Sequence, residues 1–187
     1  MNSLPIVRRS RFPTAGLLSI VLLGAIAGAA AAGCAATHDG GSGAGAAGYS
    51  PPDGGTLMAH GMAMSAADMN AAWAARPAYV DAAGPAPAEA YAFALTRPDA
   101  LQFMPCYCGC VAMDHRSNLD CFLRPRQAGM AISFEEHASY CDVCVDTALM
   151  AKRMLAGGAS FADIRAAVDA AFGNTGAPGT RTDLPPS

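Results

Sequence analysis

Residues 133–158, SFEEHASYCDVCVDTALMAKRMLAGG, carry the strongest helical pattern in the chain. Ser133 stands as an N-cap with Glu136 three residues on as its capping-box partner, and Gly157-Gly158 supplies the stop. The pattern predicts a helix over Phe134–Ala156. On a helical wheel Phe134, His137, Ala138, Cys141, Cys144, Val145, Ala148 and Leu155 share one face, while Glu135, Glu136, Asp142, Asp146 and Arg153 lie away from it. A second helix is predicted from Phe161 to Phe172, capped by Ser160 with Asp163 at the matching position and striped by Phe161, Ile164, Val168, Ala171 and Phe172. Towards the N-terminus, Ser65 caps a short helix that ends near Ala75 before Pro77. Another runs from Pro87 to Leu95 and closes before Pro98. Residues 99–131 show no period. Strand-like alternation is nearly absent, so the expected fold is all-α: a small helical domain over 65–175, with a cysteine-rich loop packed on a long amphipathic helix.

Both flanks read as appendages. Arg8, Arg9 and Arg11 precede the uncharged apolar run Leu17–Ala32, and Ala31-Ala32-Gly33-Cys34 ends it in small residues. This predicts a signal peptide over 1–33 of the lipoprotein type, with Cys34 as the lipidated new N-terminus. The bland alternatives are an ordinary signal peptide cut near Ala32 and an uncleaved anchor helix. Each places the remainder outside the cytoplasm, where free thiols meet an oxidising environment. Residues 34–64 include THDGGSGAGAAGYSPPDGG and are expected to form a flexible tether. The tail 176–187, GAPGTRTDLPPS, is expected to be disordered.

Of the 12 basic residues, Arg8, Arg9 and Arg11 lie before Cys34, whereas all 15 acidic residues follow it. The exported part is therefore more acidic than the formal charge of −3. With few aromatics and no basic stripe, it is not built to bind nucleic acid.

Apart from Cys34, the cysteines fall in two groups: Pro105-Cys106-Tyr107-Cys108-Gly109-Cys110 with Cys121 behind it, and Cys141-Asp142-Val143-Cys144 on the predicted helix. In an extended chain the three loop sulfurs would be spaced about 7 Å apart, so gathering them needs a turn, which Gly109 permits. A disulfide between residues two apart is strained, so these three are expected to find partners elsewhere. On the predicted helix His137, Cys141 and Cys144 are spaced i, i+4, i+7 and project from one face. Two soft sulfurs and an imidazole suit Cu(I) or Zn(II) once a loop closes over them. His115, beside Asp114, is a further candidate. Met58, His60, Met62 and Met64, with Met69 beyond, add soft thioether and imidazole donors; the Met58–Met64 segment would act as a weak copper collector, the bland alternative being methionine as apolar filler.

Two bland readings compete. Exported domains with six cysteines commonly hold structural disulfides, whose pairing the sequence does not select. Buried cysteine is also an ordinary small apolar residue. Covalent haem attachment is excluded, because Val145 stands where Cys-x-x-Cys-His needs its histidine. A thioredoxin-type pair sits at a helix N-terminus, whereas Cys141 falls two turns inside the predicted helix, which weakens a redox assignment.

The run Pro105–Cys110, with His115, Ser117-Asn118-Leu119-Asp120-Cys121-Phe122, His137-Ala138 and Cys141–Cys144, resembles the PCYCGC-motif (CYCXC) lipoproteins of bacteria over about residues 90–172. That resemblance implies a signal peptide and lipoprotein cysteine. It carries over Cys106, Cys108, Cys110, Cys121, Cys141 and Cys144 as the site, with His115 and His137 beside them. Selenocysteine at a motif position in some relatives implies reactive or metal-binding sulfur. The family has no established activity to transfer.

The expectation is therefore an extracytoplasmic, lipid-anchored protein, held to the cell membrane or outer membrane through Cys34. It would bind copper or zinc through clustered thiolates, serve as a binding protein rather than an enzyme, and exchange with another exported metal or redox protein. The alternatives are a thiol–disulfide oxidoreductase with Cys108 or Cys110 as attacking thiolate, and a disulfide-stapled structural or interaction lipoprotein.

Overall fold

The computed structural model describes residues 56–59, 62–124 and 131–186. Cys34, His60, the apolar run Leu17–Ala32 and most of the predicted tether lie outside these residues. Among the described residues no helix is long and apolar enough to cross a membrane.

The described chain is mostly helical but not all-α, because it also holds two antiparallel ribbons. The first pairs β1 (Thr56–Ala59) with β2 (Met62–Ser65), in the register Thr56↔Ser65 and Ala59↔Met62. Within the predicted tether, Thr56–Ala59 and residues 62–64 are thus paired strand. Met64 is buried and Met69, in the next helix, is completely so. These two methionines are core, which removes Met64 from the expected Met58–Met64 collector and Met69 from the soft donors beyond it. Apolar thioether stems find more stabilisation in the interior than in water.

Ser65 then starts α1 (Ala66–Ala74). Its hydroxyl accepts from the Asp68 N–H at 3.1 Å, and the Asp68 carboxylate reaches back to the Ser65 N–H. The short α2 (Ala78–Ala82) follows Pro77. Next, α3 (Pro85–Thr96) opens with proline at its first position, where a missing N–H costs nothing, and stops at Arg97 before Pro98. It buries Ala88, Ala90, Tyr91, Ala92, Phe93, Ala94 and Leu95, so nearly its whole circumference is covered, as suits a central helix. After α4 (Pro98–Leu101) the chain enters the cysteine-rich region through single 3₁₀ turns at Cys110–Met113 and Asn118–Cys121.

The second ribbon pairs β3 (Leu123–Arg124) with β4 (Ser133–Phe134). This ribbon corrects the long helix. Phe134 pairs with Leu123, and the Glu135 N–H donates to the Phe122 carbonyl at 2.8 Å, so the backbone here is committed to a sheet. His137–Tyr140 form a 3₁₀ turn, and the α-helix α5 runs only from Asp142 to Ala156. Ser133 does not cap it. Tertiary pairing overrides a local capping pattern whose helical preference is worth only tenths of a kcal/mol per residue. Of the C-terminal half of the predicted face, Cys144, Val145 and Ala148 are buried and Leu155 is half-buried, while Ala151, outside that face, is buried as well.

The last helix, α6 (Phe161–Phe172), begins at Ser160, whose hydroxyl accepts from the Asp163 N–H at 3.1 Å. Ile164 and Val168 are fully buried, while Ala171 of the predicted stripe is exposed. α5 packs between α3 and α6. Tyr91 of α3 anchors the ribbon to this layer: its ring meets Phe122 edge-on with centroids 5.1 Å apart, and its hydroxyl donates to the Glu135 carbonyl at 2.6 Å.

The tail does not behave as its composition implies. Residues 176–186 have no helix or strand, yet Thr180 is buried and bridged to the motif by two hydrogen bonds, and the Thr182 hydroxyl donates to the Arg116 carbonyl at 2.6 Å. Gly179 lies flat against Tyr107, where an added Cβ would come within 2.6 Å of the ring. Only glycine lets the chain pass so close.

Candidate metal centre

The site is assembled from short turns, each with its own local cause. Cys106 is held by its backbone to Thr180. Tyr107 points away from the sulfurs and donates its hydroxyl to Asp169 of α6 at 2.7 Å. Gly109, at φ 88°, then reverses the chain so that Cys108 and Cys110 lie with Cα atoms 5.7 Å apart. Asp114 makes a second left-handed turn at φ 58°, a conformation aspartate tolerates better than most residues. The next turn is pinned by Asp120, whose carboxylate accepts from the N–H groups of Arg116 at 2.7 Å and Ser117 at 3.2 Å. Asn118 ties that turn to α5: its backbone N–H donates to the Met104 carbonyl at 2.7 Å and its side-chain amide to the Cys144 carbonyl at 3.3 Å.

These devices converge all six cysteines. Cys106 Sγ lies 3.1 Å from Cys108 Sγ, 3.3 Å from Cys110 Sγ, and 3.5 Å from both Cys121 Sγ and Cys144 Sγ. Cys110 and Cys121 are 3.5 Å apart, as are Cys144 and Cys108. The ligand atoms of Cys106, Cys108, Cys110, Cys121 and Cys144 all lie within 4.8 Å of one another. A second set, Cys108, His137, Cys141 and Cys144, meets the same limit. His137 Nε2 is 3.2 Å from Cys108 Sγ and 3.6 Å from Cys110 Sγ. His115 Nδ1 reaches Cys121 Sγ at 3.5 Å, although His115 belongs to neither set. The eight residues expected from the sequence therefore occupy one neighbourhood. The arrangement can hold a metal ion, with sulfur and imidazole donors of the type that closes tetrahedral or trigonal sites.

Two expectations about the sulfurs change. Cys108 and Cys110 pair with each other across Gly109, against the expectation that loop cysteines would seek partners elsewhere. The left-handed glycine shortens the span between them to one a disulfide accepts. Cys141, moreover, is the N-cap of α5 and Cys144 sits in its first turn, not two turns inside a helix. The Cys144 N–H donates to the Cys141 carbonyl at 3.1 Å. The argument that removed helix N-terminal activation therefore fails, since unpaired amides at that position favour a thiolate.

The thiols do not share one acidity. The Cys106 thiol is held well below its ordinary range, chiefly because the Cys121 and Cys144 S–H groups donate to its sulfur, with burial opposing. Cys121 and Cys144 are pushed up, first by that same interaction with Cys106. Cys141 is lowered to about 6, chiefly by a hydrogen bond from Cys144 and then by the Cys144 N–H and His137, against its partial burial. In the metal-free centre the Cys106 sulfur is thus the favoured thiolate, accepting from the Cys121 and Cys144 thiols, while Cys108 and Cys110 are paired with each other. A buried anion of this kind is costly until a cation or donors compensate it.

Sequence reasoning missed Thr180 and Asn118, which hold the motif without ligand chemistry. Asn118 falls within the motif stretch, but a threonine in a Gly/Pro-rich tail carries no signal that it clamps residue 106.

Fold and site together define a small, mainly helical cysteine-cluster protein whose sulfurs can hold a metal ion. The chain belongs to the family described as protein of unknown function with PCYCGC motif, whose model matches residues 23–185. No curated protein and no solved structure matches it.

Proposed function

We propose that this protein captures a soft metal ion outside the cytoplasm and passes it on, with Cu(I) preferred and Zn(II) second. The observation that carries the reading is the convergence of five sulfurs within 4.8 Å of one another, from segments separated by more than 30 residues. Structural disulfides need sulfurs in isolated pairs, whereas here Cys106 has four sulfur neighbours. Crowded thiolates favour soft d¹⁰ cations, and the density of sulfur over nitrogen and oxygen places Cu(I) first. Location rests on Arg8, Arg9, Arg11, the apolar run and Cys34, which support export and lipid anchoring at a membrane. A further exported metal or redox protein is the natural recipient. The test is to purify the exported protein without oxygen, then count free thiols and bound metal on one sample. Stoichiometric metal with protected thiols is expected, and Cys141→Ser/Cys144→Ser should abolish it. Unchanged metal in that variant would sink the assignment.

A second reading, an extracytoplasmic thiol–disulfide oxidoreductase, is favoured by Cys141 at a helix N-terminus and by the Cys108–Cys110 pair. It requires turnover of a disulfide substrate by the metal-free protein, which the binding reading does not.

A further inference from the structure

Resting on the metal-binding reading, we infer that the centre holds two ions, not one, bridged by the thiolate of Cys144. The donor inventory drives this. A tetrahedral soft ion takes about four donors, and the two overlapping sets supply seven: Cys106, Cys108, Cys110, Cys121, Cys144, His137 and Cys141. Cys141 and His137 are absent from the first set, and Cys106, Cys110 and Cys121 from the second, so the donors extend beyond one ion's reach. Two four-coordinate ions that share one sulfur use all seven. Cys144 is the sulfur placed to be shared. Cys108 also belongs to both sets but is partly exposed, whereas Cys144 is completely buried, lies 3.5 Å from Cys106 and from Cys108, and is fixed by the first turn of α5 and by the Asn118 amide on its carbonyl.

The division gives an inner site of Cys106, Cys110, Cys121 and Cys144 and an outer site of Cys108, Cys141, Cys144 and His137. Burial separates their roles. All four inner cysteines are completely buried, whereas Cys108, Cys141 and His137 are each partly exposed. The inner ion is enclosed by four sulfurs and holds the loop, the Asn118–Cys121 turn and α5 together. The outer ion has one imidazole donor and solvent at its edge, so a competing ligand reaches it first. The outer ion is cargo and the inner one structural.

The test is an oxygen-free titration of the fully reduced, metal-free protein with Cd(II), a soft d¹⁰ probe whose thiolate charge-transfer absorption counts bonds as they form. Two equivalents are expected, and a chelator added afterwards should remove one at least tenfold faster than the other. The variant Cys141→Ser/His137→Asn alters only partly exposed donors and should keep one equivalent, the slowly released one, with helicity unchanged. A single equivalent in the unaltered protein overturns the two-ion inference and leaves the metal-binding reading standing, whereas no uptake sinks both. Retention of both equivalents by the variant, or loss of both, overturns the division into inner and outer sites.

Discussion

Cys106 and Thr180 hold each other by a reciprocal pair of hydrogen bonds: the Cys106 N–H donates to the Thr180 hydroxyl at 2.9 Å, and the Thr180 N–H donates to the Cys106 carbonyl at 3.0 Å. Cys106, with four sulfur neighbours, therefore has its backbone set by the C-terminal segment. Thr180→Val keeps the shape but leaves the buried Cys106 amide without its acceptor, a loss of about 1–3 kcal/mol. Thr180→Ser retains the acceptor and should stay within about 0.5 kcal/mol of the unaltered protein. Urea unfolding of the three proteins, followed by circular dichroism, checks the order. Equal stability of the valine and serine variants would show that the tail does not clamp the motif.

The acidity of Cys141 gives a pH dependence with a definite sign. Because its thiol is lowered to about 6, the thiolate persists down to that pH. Its alkylation by iodoacetamide in the reduced, metal-free protein should be near plateau at neutral pH and halved near pH 6. Below that it should fall about tenfold per unit. The linked stability runs the same way: it is fully present above the ordinary thiol range and is lost as pH falls through about 6. The hydrogen bond from Cys144 is the largest cause, so Cys144→Ala should move the labelling midpoint upward. Mass spectrometry of the Cys141 peptide reads both effects, and an unmoved midpoint would remove Cys144 as the cause.

Much of this centre was legible in the chain because its chemistry is carried by side-chain identity and spacing. The helix over Phe161–Phe172 and its Ser160 cap follow from local rules alone. The motif itself named every sulfur that converges. What local rules did not show are relationships between distant segments. Ser133 and Glu136 satisfy a capping pattern, but β4 pairs with β3, and that non-local pairing moved the start of α5 to Asp142 and put Cys141 at its tip. The i, i+4, i+7 argument named residues that do lie together, but by the wrong geometry: His137 joins the cluster from a 3₁₀ turn. Thr180 sits in a segment whose composition reads as linker, and its order comes from partners 74 residues away. Composition reports the entropy a segment must lose on ordering, not the contacts that offset it.

Tyr91 links the core to the turn that carries His137. Its hydroxyl donates to the Glu135 carbonyl at 2.6 Å, two residues before that histidine, while its ring packs on Phe122. Tyr91→Phe keeps the packing and removes the donor, which should cost about 1–2 kcal/mol. Phe122→Ala empties volume in the same layer and should cost about 3–5 kcal/mol. If the hydrogen bond also positions His137, Tyr91→Phe will speed chelator removal of metal while α-helix content stays constant. A stability loss with unchanged metal release would assign Tyr91 to packing alone.

Cys108 and Cys110 are both donors in the metal set and partners for each other across Gly109. The two states exclude one another. When their thiolates join, each sulfur gives up one electron, the pair of electrons reduces an added disulfide such as oxidised glutathione to two thiolates that take protons from water, and both cysteine sulfurs cease to be anionic ligands. The set that holds five thiolates then keeps three, and the set containing Cys141 and His137 loses Cys108. Oxidation should therefore weaken metal binding at least tenfold, and a dithiol reductant should restore it. The variant Cys108→Ser/Cys110→Ser should bind weakly in both conditions, with no redox response. Competition titrations against a coloured chelator, run on reduced and oxidised protein, measure the difference. Equal affinities in the two states would mean that neither Cys108 nor Cys110 ligates, and the centre would contract to Cys106, Cys121, Cys141, Cys144 and His137.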